Sequence, residues 1–165
     1  TDIMKDCEKL ILSLCPIGQK SPICQTLFYQ GKEINIKPPW ERISVKEAFK
    51  KWAQIDFDTF FDIKKARSVC KDKGYTVTPQ NTWEELYNQI FLNEIEPHLG
   101  INRPTIIYDF PGTIAALAKK RESDSRYAER FELYIGGLEL GDCYTELTDW
   151  KEQEARFDNE IKKIK

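Results

Sequence analysis

Residues 129–149 have the sequence ERFELYIGGLELGDCYTELTD, and this stretch sets the fold of the chain around it. Segment 131–135 alternates in the way that predicts a β-strand. Gly136-Gly137 predicts a turn, and residues 138–147 predict a further strand with an interruption. The stretch therefore predicts a β-hairpin.

Acidic side chains dominate this predicted hairpin. From residue 131 to residue 149 there is no lysine or arginine, and five carboxylic acids occur. Acids are poor strand formers, so an uncompensated group of them indicates a positive ligand: a hard cation such as Mg²⁺, an ammonium group, or both. The alternative is a solvated outer face of a two-sided hairpin. The five acids are Glu132, Glu139, Asp142, Glu146 and Asp149.

The spacing of three of these acids sets a requirement on the strand register. Glu132, Glu139 and Glu146 follow one another at intervals of seven. Side chains alternate between the faces of a strand, so an odd interval places neighbours on opposite faces. Convergence of the three carboxylates therefore requires two breaks in register. The Gly136-Gly137 turn offers one break, and a β-bulge near residues 141–143 offers the other.

The flanking sequence predicts helices before the strands and one helix after them. Capping-box patterns indicate three helix starts, at Ser44–Glu47, Thr82–Glu85 and Asp149–Glu152. The last of these helices is predicted to bury an apolar stripe formed by Trp150, Phe157, Ile161 and Ile164. Further helices are predicted at 2–14, 56–73 and 114–120, and strands at 26–29, 33–36 and 104–111.

This order of elements favours an α+β fold with an antiparallel sheet and flanking helices over an alternating parallel sheet. Residues 1–93 are expected to form a mostly helical, insertion-like region. Residues 94–165 are expected to form the core strands and a closing helix, within one fragment spanning 1–165. The short strands at 26–29 and 33–36 predict either a hairpin on the sheet or a loosely attached excursion.

Composition limits the functional classes. The chain has 165 residues, of which 41% are hydrophobic, and a net charge of -2, which disfavours a broad basic surface for nucleic acid. No apolar run approaches the roughly 20 residues that cross a bilayer, so no membrane partner is expected. The five cysteines include no C-x-x-C pair, and we expect reduced thiols and a cytoplasmic protein. His98, the single histidine, excludes mechanisms that need two.

The run 129–149 resembles class II lysyl-tRNA synthetases, and most closely their shorter relatives that ligate lysine to translation elongation factor P. Segments 96–100 and 104–111 support the resemblance, as do Gln153 and Arg156-Phe157. It is clear over residues 94–160 and weak over residues 44–93. The implied fold is part of the class II catalytic core.

The resemblance implies a role for each matching residue. Glu132 and Glu139 occupy the positions that hold Mg²⁺ against the phosphates of ATP. Glu146 occupies the position that pairs with the ammonium group of lysine, and Tyr144 the position of an aromatic ring on its methylene chain. Asp142 stands in the lysine site where the family has asparagine, so it adds a negative charge there. No catalytic residue is implied within this segment.

The implied activity is attack of the lysine carboxylate on the α-phosphorus of ATP, which gives lysyl-adenylate. Lysine would then pass to elongation factor P or to tRNA, in a homodimeric parent enzyme. The chain resembles the segment between the second and third class II motifs, so we expect it to be inactive when isolated. The alternatives are a fragment of a true lysyl-tRNA synthetase and a non-catalytic module that binds lysine or a protein.

Overall fold

A four-stranded sheet lies at the centre of the fold, which is known from a computed structural model that describes residues 2–14 and 25–164. Neighbouring strands follow the order β3-β4-β5-β6. The β4–β5 and β5–β6 pairs are antiparallel, whereas β3 pairs with β4 in parallel. The strands are β3 (Glu41–Ser44), β4 (Thr105–Pro111), β5 (Tyr127–Ile135) and β6 (Leu138–Tyr144).

The α+β class is confirmed, but the sheet is mixed rather than wholly antiparallel. Strand β3 was not predicted, because its four residues show little periodicity and its partner lies far along the chain. Its register pairs Glu41 with Thr105 and Ser44 with Tyr108. The predominantly helical region therefore contributes an edge strand to the core sheet.

Helices cover one face of the sheet. Both predicted capping boxes on this face form, with Ser44 and Thr82 as the capping residues. Large aromatic rings fill the layer beneath the helices, and Tyr87 stacks on Phe49 at 5.3 Å and on Phe91 at 5.5 Å between ring centroids. The elements are α2 (Val45–Ala48) with a π-helical turn (Phe49–Ala53), α3 (Phe57–Phe60), α4 (Ile63–Asp72), and α5 (Trp83–Ile90) with a π-helical turn (Phe91–Ile95) and a 3₁₀ turn (Glu96–His98).

The opposite face is covered by helix α1 (Asp2–Leu14) and by a hairpin of β1 (Thr26–Tyr29) and β2 (Lys32–Asn35). Ile34 of this hairpin is 1% exposed and packs against the sheet. The hairpin is thus part of the core and not a loose excursion. The apolar cluster on this face comprises Ile34, Ile36, Trp40, Ile106, Phe131, Leu133 and Ile135.

Two predictions of helix extent need correction. The segment 56–73 is divided, because Asp62 accepts hydrogen bonds from the backbone N–H groups of Lys64 and Lys65 and starts α4 anew. Segment 114–120 is not helical; it forms turns and bridges that include the pair Ala118 and Glu146.

The predicted burial of the last helix, α6 (Trp150–Ile164), is wrong. Trp150 is 64% exposed, and Phe157 and Ile161 are also exposed. The side chain of Ile164 lies outside the described residues. The capping box at Asp149 is only half formed, because the Glu152 carboxylate pairs with Lys120 and Arg156 instead of the capping backbone.

Two expectations about the chain as a whole can be compared with this fold. Among the described residues, no helix is long and apolar enough to cross a membrane. Cys7, Cys70 and Cys143 are free thiols, in agreement with reduced cysteines. Cys15 and Cys24 lie outside the described residues.

Gly100 lies where two backbone segments approach closely, and its carbonyl accepts a 2.7 Å hydrogen bond from Gly136 N–H. A Cβ added at Gly100 would lie 2.5 Å from the carbonyl carbon of Tyr134, so we expect Gly100→Ala to destabilise the protein strongly. Gly74→Ala is the matched control: both glycines have positive φ, but an added Cβ at Gly74 meets nothing within 4 Å. The control should lose about 1 kcal/mol through left-handed strain, and Gly100→Ala at least about 2 kcal/mol more. Urea unfolding measures both losses, and equal losses would contradict the close approach.

Candidate functional site

The β5–β6 hairpin contains both register breaks that the sequence requires. Gly136 and Gly137 have φ values of 67° and 79° and form a two-residue turn. Tyr134 then pairs with Glu139, whereas Leu133 pairs with Gly141, so Leu140 is the extra residue of a β-bulge. The prediction of a bulge near residues 141–143 is confirmed to within a residue.

These breaks bring the acidic side chains to one face of the hairpin. Glu132 pairs with Asp142, and Tyr134, two residues along the same strand, pairs with Glu139. The register therefore places Glu132, Glu139 and Asp142 on one face. Tyr144 follows Asp142 by two residues and lies on that face as well. The backbone N–H of Thr145 still donates to the carbonyl of Glu129, but the next partner of this segment is not β5: Lys119 N–H donates to the carbonyl of Thr145, and Glu146 forms a bridge with Ala118. The register of β5 and β6 therefore does not by itself bring Glu146 to Glu132 and Glu139.

Glu132 is the buried member of this group, with 6% of its surface exposed. One carboxylate oxygen accepts a 2.8 Å hydrogen bond from Nη2 of Arg130. The other accepts a 2.9 Å hydrogen bond from the hydroxyl of Tyr134. A buried carboxylate is costly unless it is paired and hydrogen-bonded, and both conditions are met here.

Arg130 joins the two strands at this position. Its Nε and Nη2 each donate a 2.9 Å hydrogen bond to Asp142, in a bidentate pair, and Nη2 also donates a hydrogen bond to Glu132. The guanidinium carbon lies 4.8 Å from the ring centroid of Phe110. The expectation of uncompensated acids is therefore wrong for Glu132 and Asp142: the compensating base lies one residue before the acidic stretch.

Burial raises the pKa of Glu132 to about 7, against an ordinary value of 4.5. The hydrogen bond from Tyr134 and the charge of Arg130 oppose this rise, and the negative charges of Glu139 and Asp142 add to it. Glu132 therefore changes its protonation state near pH 7, and a bound cation would favour its ionised form.

The remaining acids are open to solvent. Glu139, Asp142 and Glu146 are exposed, as is Tyr144 at 41%. Asp149 does not join them, because it caps helix α6 through the backbone N–H of Lys151.

A cleft of about 630 Å³ opens on the other side of the hairpin, between helix α1 and the strands, with Met4, Phe131 and Cys143 in its wall. The candidate acids do not line this cleft; Glu139, Asp142 and Glu146 are instead exposed directly to solvent. The carboxylate of Glu132 is buried on the same face, where Arg130 and Tyr134 hold it through hydrogen bonds.

The donor set fits Mg²⁺ only in part. Within residues 2–14 and 25–164, no group of three or more His, Cys, Asp or Glu side chains is arranged to hold a metal ion. Mg²⁺ is usually bound through one or two carboxylates together with substrate phosphates and water. Glu132 and Glu139, close enough for the charge of one to affect the pKa of the other, match that smaller protein contribution.

Sequence reasoning missed two residues that shape this face: Arg130 and Tyr134. Arg130 could have been found by extending the acidic stretch one residue toward the N-terminus. Tyr134 could have been found from its spacing, since residues two apart on a strand share a face.

Comparison with known proteins identifies the family of the chain. The family model described as tRNA synthetases class II (D, K and N) matches residues 1–165. The chain belongs to this family. Its class II relatives include lysine–tRNA ligases, and the resemblance extends beyond residues 94–160 to nearly the whole chain.

Three of these class II relatives are lysine–tRNA ligases from different bacteria. The chain is 34% identical to that of Oceanobacillus iheyensis over 161 residues, which is 98% of this chain and 32% of the relative. It is 33% identical to that of Chloroflexus aurantiacus (83% of this chain, 28% of the relative) and 35% identical to that of Moorella thermoacetica (81% and 27%). The chain thus spans less than a third of the length of these relatives.

The raised pKa of Glu132 predicts a pH-dependent stability. Glu132 holds its proton more tightly in the folded than in the unfolded chain, so the free energy of unfolding should fall as pH rises from 4.5 to about 7. Since one pKa unit corresponds to about 1.4 kcal/mol, the fall should be roughly 2–3 kcal/mol. Urea unfolding at about pH 5 and about pH 8 measures it.

Two variants separate this effect from the other titrating groups. In Glu132→Gln, this decrease in the free energy of unfolding with rising pH should be absent. It should remain in Glu129→Gln, which removes an exposed carboxyl from the same strand. An identical pH dependence in wild type and Glu132→Gln would contradict the raised pKa.

Proposed function

We propose that this chain contributes the lysine-binding and magnesium-binding strands of an ATP-dependent lysine ligase of the class II type. The observation that carries the proposal is the register of the β5–β6 hairpin. Its turn and its bulge put Glu132, Glu139, Asp142 and Tyr144 on one face, and Glu146 follows two residues after Tyr144, where it bridges to Ala118. The names of the similar lysine–tRNA ligases support lysine as the amino acid.

The carboxylates divide between two ligands. Glu132 and Glu139 would hold Mg²⁺ and thereby the phosphates of ATP, since both lie near the turn end of the hairpin. Glu146 lies at the other end, past β6, where its exposed carboxylate is available for the ammonium group of lysine. A desolvated ammonium needs a carboxylate partner, and Tyr144 offers an aromatic surface to the methylene chain.

Asp142 has a different position in this arrangement. Both of its carboxylate oxygens already accept hydrogen bonds from Arg130. Its extra negative charge, compared with asparagine, is therefore balanced within the protein. We propose that Asp142 forms part of the wall of the lysine site and influences lysine at a distance, without pairing directly with the ammonium group.

The proposed reaction is attack of the lysine carboxylate oxygen on the α-phosphorus of ATP, with pyrophosphate as the leaving group. Bound Mg²⁺ would offset the negative charge of the phosphates. The residues of this chain would orient lysine through Glu146 and Tyr144. They would offer the metal the carboxylate of Glu132, held by Arg130 and Tyr134, and the exposed carboxylate of Glu139. Their contribution is positioning and charge stabilisation, since no described side chain is placed as a nucleophile.

The acceptor of lysine and the state of the enzyme are further proposals. The relatives' names favour tRNA as the acceptor. Transfer to elongation factor P rests on the resemblance of residues 129–149. We further propose a cytoplasmic, homodimeric parent enzyme, and that the isolated 165-residue chain does not form the adenylate by itself.

Calorimetric titration of L-lysine into the chain, with and without Mg²⁺-ATP, tests the proposal. Wild type should bind lysine, and Glu146→Gln should bind at least about tenfold more weakly, because a charge-assisted hydrogen bond is lost. Glu154→Gln, which removes an exposed carboxyl from α6, is the matched control and should bind like wild type. Equal affinities of wild type and Glu146→Gln, or the absence of lysine binding in wild type, would count against the lysine site.

A further inference from the structure

A surface depression of about 440 Å³ lies between the end of strand β2 and the bend at residues 101–103. Four of its five lining side chains carry N–H donors, two of them are positively charged, and none is acidic. The depression therefore attracts anions. Its lining residues are Asn35, Lys37, Pro38, Asn102 and Arg103.

Hydrogen bonds hold the two segments of this depression together. The backbone N–H of Asn35 donates a 3.0 Å hydrogen bond to the carbonyl of Asn102. Nη2 of Arg103 donates to the carbonyl of Pro39, which lies 64 residues earlier in the chain. The donors of the depression are therefore brought together by the tertiary fold and not by a single loop.

Most of these donors have no partner within the described part of the chain. The side-chain oxygen of Asn35 accepts a 3.0 Å hydrogen bond from the backbone N–H of Lys37, which leaves the amide N–H groups of Asn35 unpaired. Neither Nζ of Lys37 nor the side chain of Asn102 contacts a described hydrogen-bond or ion-pair partner. The basic run at residues 119–121 differs, because each of its three cations pairs with a carboxylate.

The chemistry of the depression fits a phosphate group. The planar guanidinium of Arg103 offers parallel donors to phosphate oxygens, and Lys37 adds a point charge. No aromatic ring lines the depression, so a nucleobase has no surface on which to stack. All five lining residues are exposed, so the depression does not enclose a free ion. These features favour one phosphate of a longer polyanion, whose other contacts supply the remaining affinity.

The depression lies close to the turn of the β5–β6 hairpin. The N–H of Gly136 in that turn donates to the carbonyl of Gly100, two residues before Asn102. A Cβ added at Gly136 would also lie 3.0 Å from Cδ1 of Ile34, the neighbour of Asn35. A polyanion bound here would therefore lie beside the turn end of the hairpin.

We propose that this depression binds a backbone phosphate of RNA, with Lys37 and Arg103 as its charged contacts and the amides of Asn35 and Asn102 as further donors. The inference rests on one part of the proposed function, tRNA as the acceptor of lysine, and not on the lysine or magnesium sites. A net charge of -2 disfavours a broad nucleic-acid surface. A single phosphate contact instead positions the RNA without reading its sequence.

Fluorescence anisotropy of a labelled, unmodified lysine tRNA transcript tests the proposal with the full 165-residue chain. Lys37→Gln/Arg103→Gln should bind the transcript about three- to tenfold more weakly than wild type at low salt, because two exposed charge contacts are lost. The slope of log affinity against log salt should fall by about one, as expected for one lost phosphate contact. Lys37→Gln alone should show part of this loss, and it removes no contact within the described protein.

A charge-matched control separates this site from a general effect of net charge. Lys32→Gln/Lys64→Gln removes two exposed positive charges outside the depression and should weaken binding less than about twofold. The side-chain amide signal that is missing from the NMR spectrum of Asn102→Ala should shift when the transcript is added to wild type. Inorganic phosphate should shift this signal only at a far higher concentration.

The outcomes distinguish this inference from the proposed function. Equal losses of affinity in the depression variant and its control overturn the phosphate site alone. Saturation of the Asn102 signal by inorganic phosphate at concentrations comparable with those of the transcript assigns the depression to a free anion and overturns the RNA assignment. Wild type that does not bind the transcript overturns this inference and counts against tRNA as the acceptor. Lysine binding and its loss in Glu146→Gln report on the hairpin independently.

Discussion

The buried carboxylate of Glu132 is the constraint around which the hairpin and its neighbours are organised. Removing a charged group from water costs several kcal/mol unless partners replace the water. Arg130 and Tyr134, each two residues away on the same strand, supply those partners. Because side chains two apart share a strand face, a single strand can present the carboxylate and both of its donors.

The second strand depends on the same constraint. Arg130 needs an acceptor of its own, and Asp142 provides one only because it lies opposite Glu132 in the register. The extra residue at Leu140 then allows Glu139 to share that face although it lies an odd number of residues from Asp142. The bulge, the ion pair and the acidic face are therefore parts of one arrangement.

Much of this arrangement could be predicted from the sequence. The hairpin, its Gly136-Gly137 turn and the need for a bulge followed from alternation and spacing, as did the capping boxes at Ser44 and Thr82. These signals are local. The function implied by residues 129–149 required a family resemblance, since acids on a strand alone left a solvated face equally open.

The features that could not be predicted depend on contacts between distant segments. Strand β3 forms by parallel pairing with β4, about sixty residues away, and the four residues of β3 contain no pattern that predicts this pairing. The apolar stripe of α6 predicted burial, yet helical periodicity identifies a face without identifying what covers it. The stacking of Tyr87 on Phe49, 38 residues earlier, likewise arises from tertiary packing.

A double-mutant cycle between Glu132 and Arg130 tests the central claim most directly. The free energy of unfolding would be measured at about pH 8, where Glu132 is ionised, for wild type, Glu132→Gln, Arg130→Met and the double variant. We expect Arg130→Met to be the most damaging single change, since it leaves a buried charge unpaired. The coupling should reach roughly 2 kcal/mol or more, with the double variant losing much less than the sum of the single losses. Additive losses would show that Arg130 does not hold Glu132 in place, and would contradict the account.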